Sequence, residues 1–159
     1  MRVFAPTGYD LEIAFAGISS RDVHPRFRNQ RVRTFREGLD LVRGWQRELG
    51  NWNPRRPRTD LAYGLYRRVA SRLPGAARDL RLYIAFGTMV DRMGVDCFFE
   101  HNTRVVTIDI TICTLDQPWK RKKSLGPNTD LVITLDDFVR DRHYQIGDVI
   151  ARRLSSPWS

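Results

Sequence analysis

The spacing of apolar residues changes period along the chain. Between residues 31 and 49 they recur at Val32, Phe35, Leu39, Val42, Trp45 and Leu49, the three-and-four step of one helical stripe. Gly50 and the run NWNPRRPR (51–58) end that helix in a loop. Thr59 is placed to cap a second helix, whose apolar side is Leu61, Leu65, Tyr66, Val69 and Leu73, and Pro74-Gly75 end it. Further on the period becomes two. Cys97, Phe99 and His101 alternate with Asp96, Phe98 and Glu100, then Val106, Ile108, Ile110 and Ile112 alternate with Val105, Thr107, Asp109 and Thr111. This pattern predicts a β-hairpin turning at Asn102-Thr103.

A loop of two or four residues sets Cys97 against Ile108, Phe99 against Val106 and Asp96 against Asp109. One face is then almost purely apolar, and the other collects Asp96, Glu100, Thr107, Asp109 and Thr111. A three-residue loop would mix the faces, which a buried sheet disfavours. Thr103 suits the positive φ of a tight turn poorly, so a four-residue loop is expected. The remaining elements are a short strand at Leu11–Ala16, a basic loop at 21–30, and a segment at 78–93 that fits either a helix or a buried strand through YIAF. A short helix is expected from Pro118 to Gly126, a strand at Asp130–Leu135 buried on both faces, and a closing helix at Asp141–Leu154. The order reads α/β or α+β. A chain of 159 residues suits one domain, with a helical part at 1–77 and a core at 78–154.

Charge changes this picture more than composition does. Lys+Arg number 27 against 18 Asp+Glu, a formal net charge of +9. Such an excess attracts polyanions, nucleic acid first and an acidic protein or anionic lipid less often. Arginine supplies nearly all of it, and the lysines are Lys120, Lys122 and Lys123. An arginine-favouring codon bias would give the same excess without a partner. Arg31, Arg33 and Arg36, with Arg26 and Arg28, form one cluster, and Arg55, Arg56 and Arg58 beside Trp52 form another. Guanidinium groups pair with phosphates in a bidentate fork, whereas Trp45 and Trp52 are expected in the core. The longest uncharged apolar run, Leu82–Val90, is too short to cross a bilayer. Cys97 and Cys113 fall on opposite faces and should not bridge, which fits a reducing cytoplasm. The histidines are scattered, and there is no P-loop, dinucleotide fingerprint or zinc pattern.

Two aspartates opposite one another on a hairpin repel. A proton, an arginine or a divalent cation between them resolves the conflict, and open oxygen-rich sites suit Mg²⁺ or Mn²⁺. The alternative is a solvated face on which the carboxylates never meet.

Val95-Asp96, the hairpin, and Asp109-Ile110-Thr111 together resemble the motif of the PD-(D/E)XK nuclease superfamily. That motif is an acid at the start of one strand, then acid-any-Lys on the next. The resemblance covers roughly residues 80–154. It implies a restriction-endonuclease-like αβββαβ core, a central mixed sheet flanked by helices, and Mg²⁺-dependent hydrolysis of phosphodiester bonds in DNA or RNA. Asp96, Asp109 and the Ile110 carbonyl would hold the metal. Thr111 stands where the family has lysine; it could hydrogen-bond a metal-bound water, and Lys120 would be the displaced lysine, with Lys122 and Lys123 on phosphates. The family often adds a glutamate from an early helix, for which Glu37 and Glu48 are candidates, and Asp91 could approach the same metal. An inactive nuclease-fold binder and a basic protein docking on an acidic partner are the alternatives. So short a chain implies limited sequence specificity, or a homodimer mate or protein partner that supplies it.

Overall fold

The computed structural model describes residues 8–28, 30–48, 52–75, 77–111, 126–139 and 142–155. The expected helix at 118–126, apart from Gly126, lies outside them, as do Cys113 and all three lysines. Helix α1 spans Gly8–Ala16, where the alternation of Leu11, Ile13 and Phe15 predicted a strand. Leu11 and Phe15 are buried one turn apart while Ile13 is 48% exposed, so the working period is four. A single turn, α2, covers Pro25–Arg28 within the expected basic loop. Helices α3 (Phe35–Glu48) and α4 (Asp60–Arg72) follow the predicted stripes. Thr59 caps α4: its Oγ1 accepts from Ala62 N at 3.1 Å and donates to the Phe15 carbonyl, tying α1 to α4. Thr59→Ala is expected to cost about 1–2 kcal/mol, read as a lower urea midpoint.

The described strands form one mixed sheet in the order β1 (Arg81–Ile84), β2 (Cys97–His101), β3 (Arg104–Thr111), β4 (Leu131–Thr134). Strands β1, β2 and β3 are antiparallel neighbours, and β4 runs parallel to β3. The segment 78–93 thus holds a strand that ends within YIAF, at Ile84, and then a single helical turn, α5 (Met89–Arg92). The hairpin register is the predicted one, with Cys97 against Ile108 and Phe99 against Val106. Its loop is shorter than expected: His101 pairs with Arg104, leaving only Asn102-Thr103 to turn. Asn102 takes the positive φ, 57°, so Thr103 is spared the conformation it fits badly.

Both faces of the sheet are covered. Leu82, Ile84, Cys97, Phe99, Val106 and Ile108 join a core built with α1, α4 and the last helix, α7 (His143–Ser155). Arg68 of α4 holds Asp148 of α7 with two hydrogen bonds, at 2.8 and 3.0 Å. Tyr83, Phe98 and Val95 join a second core under Leu39 and Val42 of α3. The face that collects the polar residues thus buries its apolar ones, Phe98 among them. On it, Glu100 is taken by Arg43, whose Nε donates at 2.8 Å, and Thr107 by Asn128 and Asp130. Two boundaries also shift. β4 is shorter than the expected Asp130–Leu135, with Leu131 and Val132 only half-buried. Thr134 and Asp137 bond each other's backbone N–H at 3.2 and 2.9 Å, and this box starts helix α6 (Leu135–Val139) at once. In α7 the buried side is Gly147, Ile150, Ala151 and Leu154, while Tyr144, expected on the apolar side, is half-exposed.

Trp45 and Trp52 are core residues, as expected. Trp52 Nε1 donates to the Leu82 carbonyl at 3.0 Å, and Leu82 N donates to the Pro54 carbonyl at 2.8 Å. The arginine-rich loop therefore lies along β1. Cys97 is a buried free thiol. No helix among the described residues is long and apolar enough to cross a membrane.

Candidate active site

Asp96 immediately precedes β2, and its backbone continues the ladder: Asp96 N donates to Ile108 O at 2.8 Å and Ala85 N to Asp96 O at 2.7 Å. Its neighbours in register make it the partner of Asp109, so the hairpin does bring the two carboxyl groups together. The Asp96 carboxyl is in hydrogen-bond contact with those of Asp109 and Asp91. Its Oδ2 also accepts from Ile110 N at 2.7 Å. Within an extended strand the N–H and C=O of one residue point to the same edge, so the Ile110 carbonyl faces the Asp96 edge as well.

Burial, then the contacts with Asp109 and Asp91, push the Asp96 carboxyl up to about 10. The one hydrogen bond from Ile110 N opposes this without overcoming it. The effect reaches the neighbouring core, where burial first and the charges of Asp96 and Asp109 next hold the Cys97 thiol well above its ordinary range. Three acids that share one strand end need a proton or a cation between them.

Of the two expected early-helix glutamates, only Glu37 has a described side chain. Glu37 is exposed and accepts from Arg33 N at 2.8 Å, a helix-start contact, and the Glu48 side chain lies outside the described residues. Glu12 of α1 instead lines a cleft of about 70 Å³ with Leu11, Phe86, Asp96 and Ile110. Ser20 fixes it, its N and Oγ donating to Glu12 Oε2 at 2.8 and 3.2 Å. Burial holds this carboxyl above its usual value; the Ser20 hydrogen bonds work against that and the Asp91 charge works with it. Reading Leu11–Ala16 as a strand hid Glu12. The signal was the Leu11–Phe15 step of four, which puts Glu12 beside the buried stripe.

Asp91, expected to approach the same site, lies in α5 beside it. Its Oδ2 accepts from Gly87 N at 2.8 Å while its carboxyl touches Asp96. Gly87 has φ +74°, and a Cβ there would lie 2.7 Å from the Ser20 carbonyl. Gly87→Ala is expected to destabilise by at least about 1–2 kcal/mol and to move Glu12 through Ser20. A lower thermal midpoint together with weaker divalent-cation binding is the expected pair of readings.

The other expected residues are spread out. Thr111 is half-buried at the end of β3, in register with Thr134. Arg31, Arg33 and Arg36 are exposed at the start of α3, and Arg55, Arg56 and Arg58 are exposed on the loop before α4. Arg28 is structural, its guanidinium donating to the carbonyls of Ser20, Arg21 and Val23 at 3.2 Å each. Lys120, Lys122 and Lys123 lie outside the described residues.

Among the described residues no three His, Cys, Asp or Glu side chains are arranged to hold a metal ion by themselves. The donor set nevertheless suits Mg²⁺, which is commonly held by one or two carboxylates and keeps its remaining positions for water and phosphate oxygens. Protein-family models, curated proteins and solved structures were all compared with the chain, and none matches it.

Proposed function

We propose that the chain is a metal-dependent nuclease of the PD-(D/E)XK type, hydrolysing phosphodiester bonds of DNA or RNA. One observation carries this reading: the buried Asp96 carboxyl meets Asp109 and Asp91 at a strand end, where Glu12 lines the same cleft. The order of helices, three antiparallel strands and a fourth strand parallel to the third agrees with the αβββαβ core that the motif implies. The net charge of +9 suits a polyanionic substrate.

In this reading Asp96, Asp109 and the Ile110 carbonyl would hold Mg²⁺ or Mn²⁺. The ion would supply Lewis-acid polarisation of a phosphoryl oxygen and a more acidic bound water. The chain's own contribution is order and exclusion. Ile110 N fixes the Asp96 carboxyl, Ser20 fixes Glu12, and Leu11 and Phe86 wall the cleft with apolar surface. Burial raises the Glu12 carboxyl above its ordinary value, which makes it the readier of the cleft's side chains to pass a proton to or from a bound water. The exposed arginines at 31–36 and 55–58 would hold phosphates of the strand.

Thr111 carries no charge, and this favours a second reading, a nuclease-fold nucleic-acid binder without catalysis. Incubating plasmid, single-stranded DNA and RNA with Mg²⁺ or Mn²⁺ decides between the two. Metal-dependent cutting supports the first reading; binding without cutting of any substrate leaves the second.

A further inference from the structure

A cleft of about 530 Å³ lies at the other end of the sheet, above the paired residues Arg81 and Glu100. That is roughly 13 Å along β2 from Asp96, and none of the acids that meet Asp96 lines it. Its walls include Gln46 and Arg47 of α3, Arg55 of the loop before α4, and Arg81 and Tyr83 of β1.

The charge balance of this cleft is one-sided. Arg43, also in the wall, is committed to Glu100 and Asp40. Arg81 donates to the Asp79 backbone carbonyl at 3.1 Å and keeps its charge unpaired among the described residues. Arg47 and Arg55 are exposed, and neither has a carboxylate partner among the described residues. Three cations thus face one space whose single lining carboxylate, Glu100, is already taken by Arg43.

Gln46 gives an independent indication. It is only 2% exposed, and its Oε1 accepts from Ile84 N at 3.1 Å, which fixes the orientation of the amide. Its Nε2 is then buried in the wall with no hydrogen-bond partner among the described residues. Leaving a buried donor unpaired costs on the order of 1–3 kcal/mol, and native structures seldom retain such a group without a use. A ligand acceptor would satisfy it. Burial and the Glu100 charge push the Tyr83 phenol up, so it too remains a neutral donor.

We propose that this cleft is a second ligand site that takes a nucleotide with a terminal phosphate. Arg47, Arg55 and Arg81 hold the phosphate, and the Gln46 amide donates to an oxygen or ring nitrogen of the ligand. A volume of about 530 Å³ lies within the range of small-molecule sites. The terminal phosphate has two sources, a free mononucleotide or the 5′ end of a nucleic-acid strand.

The test uses the full chain in EDTA, so that binding is read without any metal chemistry. A labelled 5′-phosphorylated dodecanucleotide, its 5′-hydroxyl counterpart and AMP are titrated by fluorescence polarisation and competition. Tight binding of the phosphorylated strand that AMP displaces supports a free-nucleotide site. Preference for the 5′-phosphate that AMP does not displace supports a strand-end site. In either case Arg47→Ala with Arg55→Ala is expected to weaken binding at least tenfold. Both changes are at exposed positions and leave the core intact. Gln46→Glu keeps the acceptor for Ile84 N, removes the donor, and is expected to weaken binding as well. Asp109→Asn should bind as wild type does, which separates this site from the cleavage reading. Equal affinity for phosphate and hydroxyl ends with no AMP binding, or affinity unchanged in the arginine double variant, would overturn the proposal.

Discussion

Asp109→Asn is expected to reduce metal-dependent cleavage by on the order of 10²–10³-fold or more while leaving the fold intact. Asparagine keeps the shape and can still hydrogen-bond Asp96, so packing at the strand end is preserved. It loses the negative charge that a divalent cation needs opposite Asp96. Calorimetry of Mg²⁺ or Mn²⁺ binding should therefore fall in step with the cleavage rate. Binding of uncut nucleic acid in EDTA should not fall, because the arginines proposed to contact phosphates lie on other elements. Cleavage unchanged in the purified variant would show that the Asp96–Asp109 pair is structural.

The second large effect is on stability, and its direction with pH is unusual for an aspartate. The Asp96 carboxyl is pushed up to about 10 in the fold from an ordinary value of 3.8, through burial and its contacts with Asp109 and Asp91. Its contribution is fully present below the unfolded value and is lost as pH rises through the folded one. Between these limits the folded chain holds a proton that the unfolded chain has released. In EDTA the unfolding free energy should fall with rising pH by up to about 1.4 kcal/mol per unit. Asp96→Asn should flatten that slope and be the more stable protein at pH 8. Divalent cation should raise the urea midpoint more at pH 8 than at pH 5, because the Asp96 proton it displaces is given up to solvent more readily at the higher pH. Parallel urea titrations at the two pH values, with EDTA and with Mg²⁺, give all four comparisons. A wild-type slope equal to that of Asp96→Asn would sink this account.

Much of the hairpin was legible because its apolar positions leave one register that keeps a face dry. Cys97, Phe99, Val106 and Ile108 together set Asp96 opposite Asp109. The loop length was misjudged because the rule was applied to Thr103, whereas Asn102 absorbs the positive φ. Helix α1 was misread because three apolar residues at alternate positions satisfy period two as well as period four over so short a span. Only the burial of Leu11 and Phe15, with Ile13 left exposed, decides between them. Glu12 was lost with that helix. Gln46 left no signal at all, since a polar residue on an otherwise amphipathic helix looks solvated until β1 is placed beneath it. The exposed arginines were legible as two clusters, but the placing of the second along β1 is a tertiary fact.

The two-residue turn at Asn102-Thr103 also bears on how the chain reaches this structure. Closing so short a loop costs little chain entropy, so β2 and β3 can pair within microseconds. Glu12 arrives from much farther along the chain, and β4 must come from beyond residue 125. The folding chain therefore confronts its two aspartates early, before the walls of the cleft exist. On the open hairpin the pair is still hydrated, so the proton or ion that neutralises the finished site is taken up only when the walls bury Asp96.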